Sequence, residues 1–302
     1  MTMTDAVARP GKTREILNAV LDSTRWNGFE FRDDDIVVGT WSKSGTTLTQ
    51  QIIGQLISNG DAGVYGQESS AWLDFRFIPA EHVLAMANSQ THRRWMKTHL
   101  PADALVVSPK ARYIYIGRDA RDVFWSWHHH HSIFSDAAYD LLNPADRTWP
   151  EFPRVDPDIR RAYHDWLDQD GYPCWPFWSH VQSWWDLRDQ PNVMLLHFNH
   201  LRADLPGAIR RIAAFLEIEI DEAVFPNILD HCTLDFMRGR AAKVEALDRI
   251  FEGGGANFIN KGVNGRWKDV LSAEEIAKAD AAAAANLTPD CAHWLKTGEM
   301  AA

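Results

Sequence analysis

Short, wholly apolar runs alternate along this chain with longer stretches in which apolar residues return every third or fourth position. The run Ile36-Val37-Val38 leads into Leu48, Ile52, Ile53, Leu56 and Ile57, which predicts a strand, a tight turn and a helix. Arg94 to Lys97 predicts a short strand. Ala111 to Gly117 predicts a second, rich in β-branched and aromatic residues, followed by a helix through Arg121, Val123 and Trp127 with Asp119 as its N-cap. Phe177 to Leu187 predicts a helix and Asn192 to Phe198 a buried strand. Leu205 to Leu216 and Asp221 to His231 predict amphipathic helices, and Ser272 to Glu275 is a capping box that opens the last long helix. Thr13 to Trp26 carries helical spacing at Ile16, Val20 and Leu21, and is predicted to cover one sheet face as a helix. Gly60 to Gly66, Asn143 to Pro157 and Glu252 to Gly265 read as loops. Strand and helix alternate, so the predicted class is α/β: a mostly parallel sheet covered on both faces, with right-handed crossovers. No repeat or linker marks a second domain, and residues 1–302 are expected to form one.

Composition narrows the class. The 302 residues are 45% hydrophobic and 24% charged, the balance of a soluble globular protein with a large core. The net charge of −10 excludes a nonspecific nucleic-acid binder, and it requires any anion site to be locally basic. Cys174, Cys232 and Cys291 are scattered singly, which indicates a reducing compartment. Met1 to Lys12 lacks a signal-length apolar stretch, and no run is long enough to span a bilayer, so the expectation is a cytoplasmic protein without stable membrane insertion. Fourteen tryptophans are unusually many, and several are expected to line a pocket or an interface.

Candidate chemistry concentrates after the first strand, in Gly39 to Thr49. A small-residue turn before a helix presents free backbone N–H groups to an anion; Lys43 adds a charge, and Ser44, Thr46 and Thr47 add hydroxyl donors. The nucleotide P-loop pattern ends in Gly-Lys-Ser/Thr, whose hydroxyl holds Mg²⁺, but here Lys43 precedes Gly45 by two residues and no Gly-Lys-Ser/Thr follows. A sulfuryl group carries less negative charge than a phosphoryl group, so a lysine and backbone dipoles suffice to move it without a metal. Three further segments matter. His99 follows the strand that carries Lys97, and an imidazole accepts a proton at neutral pH. Arg118 ends a strand eight residues before Ser126, so both can converge on one anion. The aromatic stretch Trp72, Phe75, Phe77 reads equally as core or as one wall of an apolar acceptor pocket. His128 to His131 cannot all bind one ion, because successive helical residues point in different directions; one ring facing the acceptor pocket fits better.

Four segments, in order, resemble the cytosolic-type sulfotransferases that use 3′-phosphoadenylyl sulfate (PAPS), and bacterial members above all, glycolipid sulfotransferases among them. They are Thr40 to Thr47, Lys97 to Pro101, Arg118 to Val123 with Ser126, and Lys261-Gly262-Val263-Asn264-Gly265-Arg266-Trp267-Lys268. The resemblance implies a P-loop-like three-layer fold, and PAPS as donor, PAP as product, without a metal. It implies His99 as general base with Lys43 and Lys97 as catalytic cations. For the nucleotide it implies Lys43, Ser44, Gly45, Thr46, Thr47, Leu48, Arg118, Ser126, Phe198, Thr233, Asn260, Lys261 and Gly262; for the acceptor, Trp72, Phe75, Phe77 and His99. The acceptor would be a hydroxyl of a phenol, sterol-like alcohol or glycolipid, under a candidate lid at residues 128–157. This chain departs from the family at three places: Leu48 replaces an adenine-stacking Trp, Phe198 a Tyr near adenine, and Asn260 an arginine at the 3′-phosphate. The rival readings are a PAP-binding protein without catalysis and a P-loop small-molecule kinase.

Overall fold

In the computed structural model residues 11–300 are described, so most of the stretch Met1 to Lys12 lies outside them. Five strands form one sheet: β1 Asp35–Thr40, β2 Ala71–Trp72, β3 Trp95–Thr98, β4 Ala111–Gly117 and β5 Val193–His197, in the order β2-β3-β1-β4-β5. Every neighbouring pair is parallel, with Val38 of β1 facing Lys97 on one side and Ile114 on the other. All residues of β1 are buried, which is why its sequence is a continuous run without alternation.

Period-two side chains divide the core between the two faces. Ile36 and Val38 join Ile114, Ile116 and the helix Leu205–Leu216 on one. Val37, Tyr113 and Tyr115 join the other, which is filled by tryptophan. Trp184 packs so tightly there that a Cβ on Gly39 would lie 2.5 Å from its ring. Tryptophan therefore serves mainly as core, contrary to expectation: Trp26, Trp41, Trp95, Trp166, Trp184 and Trp294 are among the most completely buried side chains.

The second correction concerns Thr13 to Trp26. Only Ser23–Trp26 forms a helical turn, of the 3₁₀ type. Asn18 Oδ1 accepts the N–H groups of Val20 and Leu21 at 2.9 and 2.8 Å, and Ser23 Oγ accepts that of Ile16 at 2.8 Å. These side-chain bonds take the donors a helix would need. The segment still packs on the sheet through Leu21 and Trp26. Two smaller differences follow the same logic. The helix predicted from Asp221 begins at Phe225, after a turn in which Asp221 accepts from Ala223. The glycine-rich stretch contains one helical turn, Gly255–Phe258.

The carboxyl ends of all five strands point the same way. They deliver Trp72, His99, the Thr40–Thr46 turn, Arg118 and Phe198 to one rim of the sheet, the side on which open α/β sheets bind ligands. No helix among the described residues is long and apolar enough to cross a membrane.

Candidate active site

The turn after β1 is strained in a useful way. Lys43 adopts φ +68° and Gly45 φ +126°, and a Cβ on Gly45 would meet the Phe198 ring at 2.9 Å. Gly45 caps the helix Thr46–Ile57 with no side chain, so the first-turn N–H groups stay open to a ligand. Ser44 is turned inward and buried, with its N–H 3.3 Å from the Trp41 carbonyl.

The two clusters of cations are joined directly. Arg118 Nη1 donates to the Lys43 carbonyl at 2.9 Å, and its Nε and Nη2 donate to Asn264 Oδ1 at 3.0 and 2.7 Å. Asn264 in turn donates to Asn199 Oδ1 at 2.6 Å. One arginine thus pins the first loop to the glycine loop, while its guanidinium lies 4.3 Å from the Phe198 ring centre.

His99 is held from three sides. Its Nδ1 lies 2.8 Å from the Thr40 carbonyl, which can only accept, so Nδ1 carries the proton and Nε2 the lone pair. The Thr40 hydroxyl sits 3.1 Å from the same nitrogen and 2.7 Å from Thr46 Oγ1, which connects base and loop. Beneath lies Asp74, fully buried, accepting from Trp26 Nε1 and Trp72 Nε1 at 3.0 Å each and from the His99 N–H at 3.4 Å. His180 reaches the His99 carbonyl at 3.2 Å. Burial, then the charge of Lys97, holds the His99 imidazole well below its ordinary value, so it is neutral at physiological pH. Burial, then Arg118 and Lys97, brings Lys43 down to about 7; burial brings Lys97 to about 8, against the pull of Asp74. Lys97 Nζ lies 3.9 Å over the Trp72 ring.

These groups line one cavity of about 980 Å³. Lys43, Gly45, Thr46, Thr47, Leu48, Arg118, Ser126, Phe198, Thr233, Asn260 and Gly262 border it, as do Lys97, His99, Trp72, Phe75 and Phe77. Lys261 is exposed and stays outside, because the chain turns at Gly262 with φ +60°. Trp72 and Phe75 stack at 4.1 Å and Phe77 meets Phe75 edge-on, so the aromatic stretch is a wall. Among the tryptophans of the described residues, only Trp72 and Trp175 line the cavity. Phe134, Ala138, Leu141, Leu142 and Phe152, from the candidate lid, cover its apolar end. Lys43, Lys97, Arg118 and Arg202 face it against the single carboxylate of Glu68, which makes the site basic within an acidic chain.

The histidine run disperses. His128 Nε2 meets the Asp156 carbonyl at 2.8 Å, and His131 Nδ1 meets the Trp127 carbonyl at 2.9 Å. His130 Nδ1 instead lies 3.1 Å from Lys43 Nζ. Sequence reasoning gave no role to Thr40, Asp74, His180 or Arg202. Thr40 was visible within the loop motif, whereas Asp74 and His180 carried no signal, because their partners are remote in sequence.

Sheet order, anion loop and basic cavity define a P-loop-like group-transfer protein. The chain belongs to the sulfotransferase family: the sulfotransferase domain model matches residues 33–289. It is 30% identical over 280 residues to a glycolipid sulfotransferase of Mycobacterium tuberculosis (strain ATCC 25177 / H37Ra), covering 84% of this chain and 85% of that protein. It is 27% identical to sulfotransferase 1 family member D1 of Rattus norvegicus, covering 83% and 82%. In fold it is similar to a retinol dehydratase solved with androsterone and the inactive cofactor PAP (TM-score 0.68, 23% identity, 88% of this chain and 84% of that one).

Proposed function

We propose that this sulfotransferase moves the sulfuryl group of PAPS onto a hydroxyl of an apolar small molecule or lipid, with His99 as general base. The observation that carries the reading is the 2.9 Å contact of Arg118 with the Lys43 loop beside His99, which sets two cationic clusters and a base on one cavity. When bound, PAPS supplies an activated sulfuryl group. Lys43 and the open amides of Thr46 and Thr47 would hold its 5′-phosphosulfate end, and Arg118, Ser126 and Thr233 its 3′-phosphate end; Arg202 would supply a cation that Asn260 does not. His99 Nε2 takes the hydroxyl proton. Its weak basicity is adequate, since that proton becomes strongly acidic as its oxygen bonds to sulfur. Lys43 and the loop dipoles offset the negative charge that develops on the departing side. Trp72, Phe75 and Phe77 form the acceptor wall, and the size and apolar lining of the cavity suit a phenol, sterol-like alcohol or glycolipid. The glycolipid activity in the name of the mycobacterial relative supports the last of these. Residues 128–157 act as the lid.

Thermal shift tests the donor. PAP is expected to raise the melting temperature more than ATP with Mg²⁺ at equal concentration; the reverse order would favour a kinase. PAP stabilisation with no sulfate transfer to any phenol, sterol or glycolipid would leave a binding protein.

The affinity for PAP is expected to fall with rising pH. Free Lys43 titrates at about 7, far below an ordinary lysine, and an anion binds only its protonated form. Affinity is therefore greatest below 7 and declines above it, by up to about tenfold per pH unit for one proton taken up; Lys97 adds to the slope above about 8. Calorimetry from pH 7 to 9 measures this, and Lys43→Arg, which stays charged, should flatten the profile. A flat profile in the wild-type chain would contradict it.

A further inference from the structure

His130 presents the cavity with something that none of the residues discussed so far supplies. Its ring is clamped by Phe134, Phe251 and Phe258, at 5.2, 4.9 and 5.7 Å between ring centres. Its Nδ1 faces Lys43 Nζ at 3.1 Å. An ammonium has donors only, so Nδ1 accepts and the ring proton sits on Nε2. Two N–H groups of Lys43 remain for an anion. Nε2 has no acceptor among the described residues, yet His130 borders the cavity. The two imidazoles therefore hold opposite tautomers: His99 presents a lone pair, and His130 presents an N–H. Both rings border the one cavity, His130 beside Lys43 and His99 beside Thr40 of the same loop. Around His130 lie three phenylalanines and the ring of His131, and no hydrogen bond among the described residues meets that N–H. His130 is half-buried, so water meets this N–H in the open cavity, and a ligand that displaces the water and accepts from it is favoured over one that does not.

Building on the sulfuryl-transfer reading, we infer that the Nε2–H of His130 selects acceptors that carry a second oxygen beside the reacting hydroxyl: an ortho-alkoxyphenol, a catechol or a vicinal diol such as a sugar provides. One oxygen gives its proton to His99, and its neighbour accepts a hydrogen bond from His130. Lys43 keeps the His130 ring in the donating tautomer and uncharged, so the preference belongs to the cofactor-loaded enzyme. His130 is in this sense a specificity-determining residue.

A shape-matched pair isolates the oxygen. With the PAP-loaded protein, a 4-alkylphenol bearing a 2-methoxy group is compared with the same phenol bearing a 2-ethyl group, by calorimetry. The methoxy compound is expected to bind about tenfold more tightly, the effect of one hydrogen bond gained in the closed complex. His130→Phe, which suits the surrounding rings, should bring the ratio near one. His130→Gln, whose amide N–H reaches the position of Nε2, should restore part of it. A purely structural role for His130 would change both affinities and leave their ratio alone. Equal affinities in the wild-type chain, binding of neither phenol, or an unaltered ratio in His130→Phe would each overturn the inference. Sulfate transfer from PAPS is measured separately: a normal ratio without transfer removes the catalytic reading and leaves the role of His130 standing.

Discussion

Replacing His99 by alanine is expected to lower kcat for sulfuryl transfer by about 10²–10⁴, the usual contribution of a positioned general base, while PAP binding survives. The size of the effect rests on how firmly the ring is held. The Thr40 carbonyl fixes its tautomer, Asp74 anchors its backbone and His180 its carbonyl, so no other side chain moves into its place when it is cut back. Lys97 is the nearest alternative, but it lies over Trp72 with its own value near 8 and is largely protonated at neutral pH. Since His99 is neutral well below pH 6.5, the acidic limb of the wild-type rate profile should lie lower than for a free imidazole. For stability the sign follows from the unfolded ring, which takes up a proton near its ordinary value of 6.5 while the folded ring stays neutral, so the contribution of His99 is present above about 6.5 and is lost as pH falls below it. Initial rates with labelled PAPS, paired with PAP titration, decide the matter. Turnover within a few-fold of wild type would remove His99 from its role.

Lys43→Ala is expected to cost about 10²–10³ in kcat at saturating PAPS, comparable to deleting a donor from an oxyanion hole, and to weaken PAP as well. Lys43 sits in a left-handed conformation at the tip of the turn, and Arg118 holds its carbonyl. Its ammonium is aimed by the backbone, and removing it leaves the amides of Thr46 and Thr47 to bear the developing charge alone. Lys43→Arg keeps the charge in a larger, planar group and should recover binding more than rate, since a fork cannot occupy the same point. A Lys43→Ala variant with lowered affinity but normal kcat would show that the lysine acts in binding alone.

Much of the fold was legible because strong local patterns coincided with the tertiary arrangement. Ile36 to Val38, Ala111 to Gly117 and Leu205 to Leu216 form the predicted elements, and Ser272 makes its capping box with Glu275. Failures came where side chains override periodicity, as Asn18 and Ser23 do before β1, and where bulk was mistaken for function, as with the tryptophans. The loop residues and His99 could be named because their chemistry is carried by contiguous motifs. Thr40, Asp74 and His130 meet His99 or Lys43 from far along the chain, and Arg202 reaches the cavity only through the fold.

The sequence alone determined the alternation of strand and helix behind the parallel sheet, the glycine turn that carries Lys43 and the imidazole of His99 at a strand end, since each depends on neighbours within a few residues. Only the tertiary structure decided that Arg118 would clasp the Lys43 loop, that Asp74 would lie beneath His99, and that His130 would meet Lys43 at the cavity wall. Those outcomes depend on strand order and on which helix face meets the rim, and the free energy that selects them is spread over the whole core.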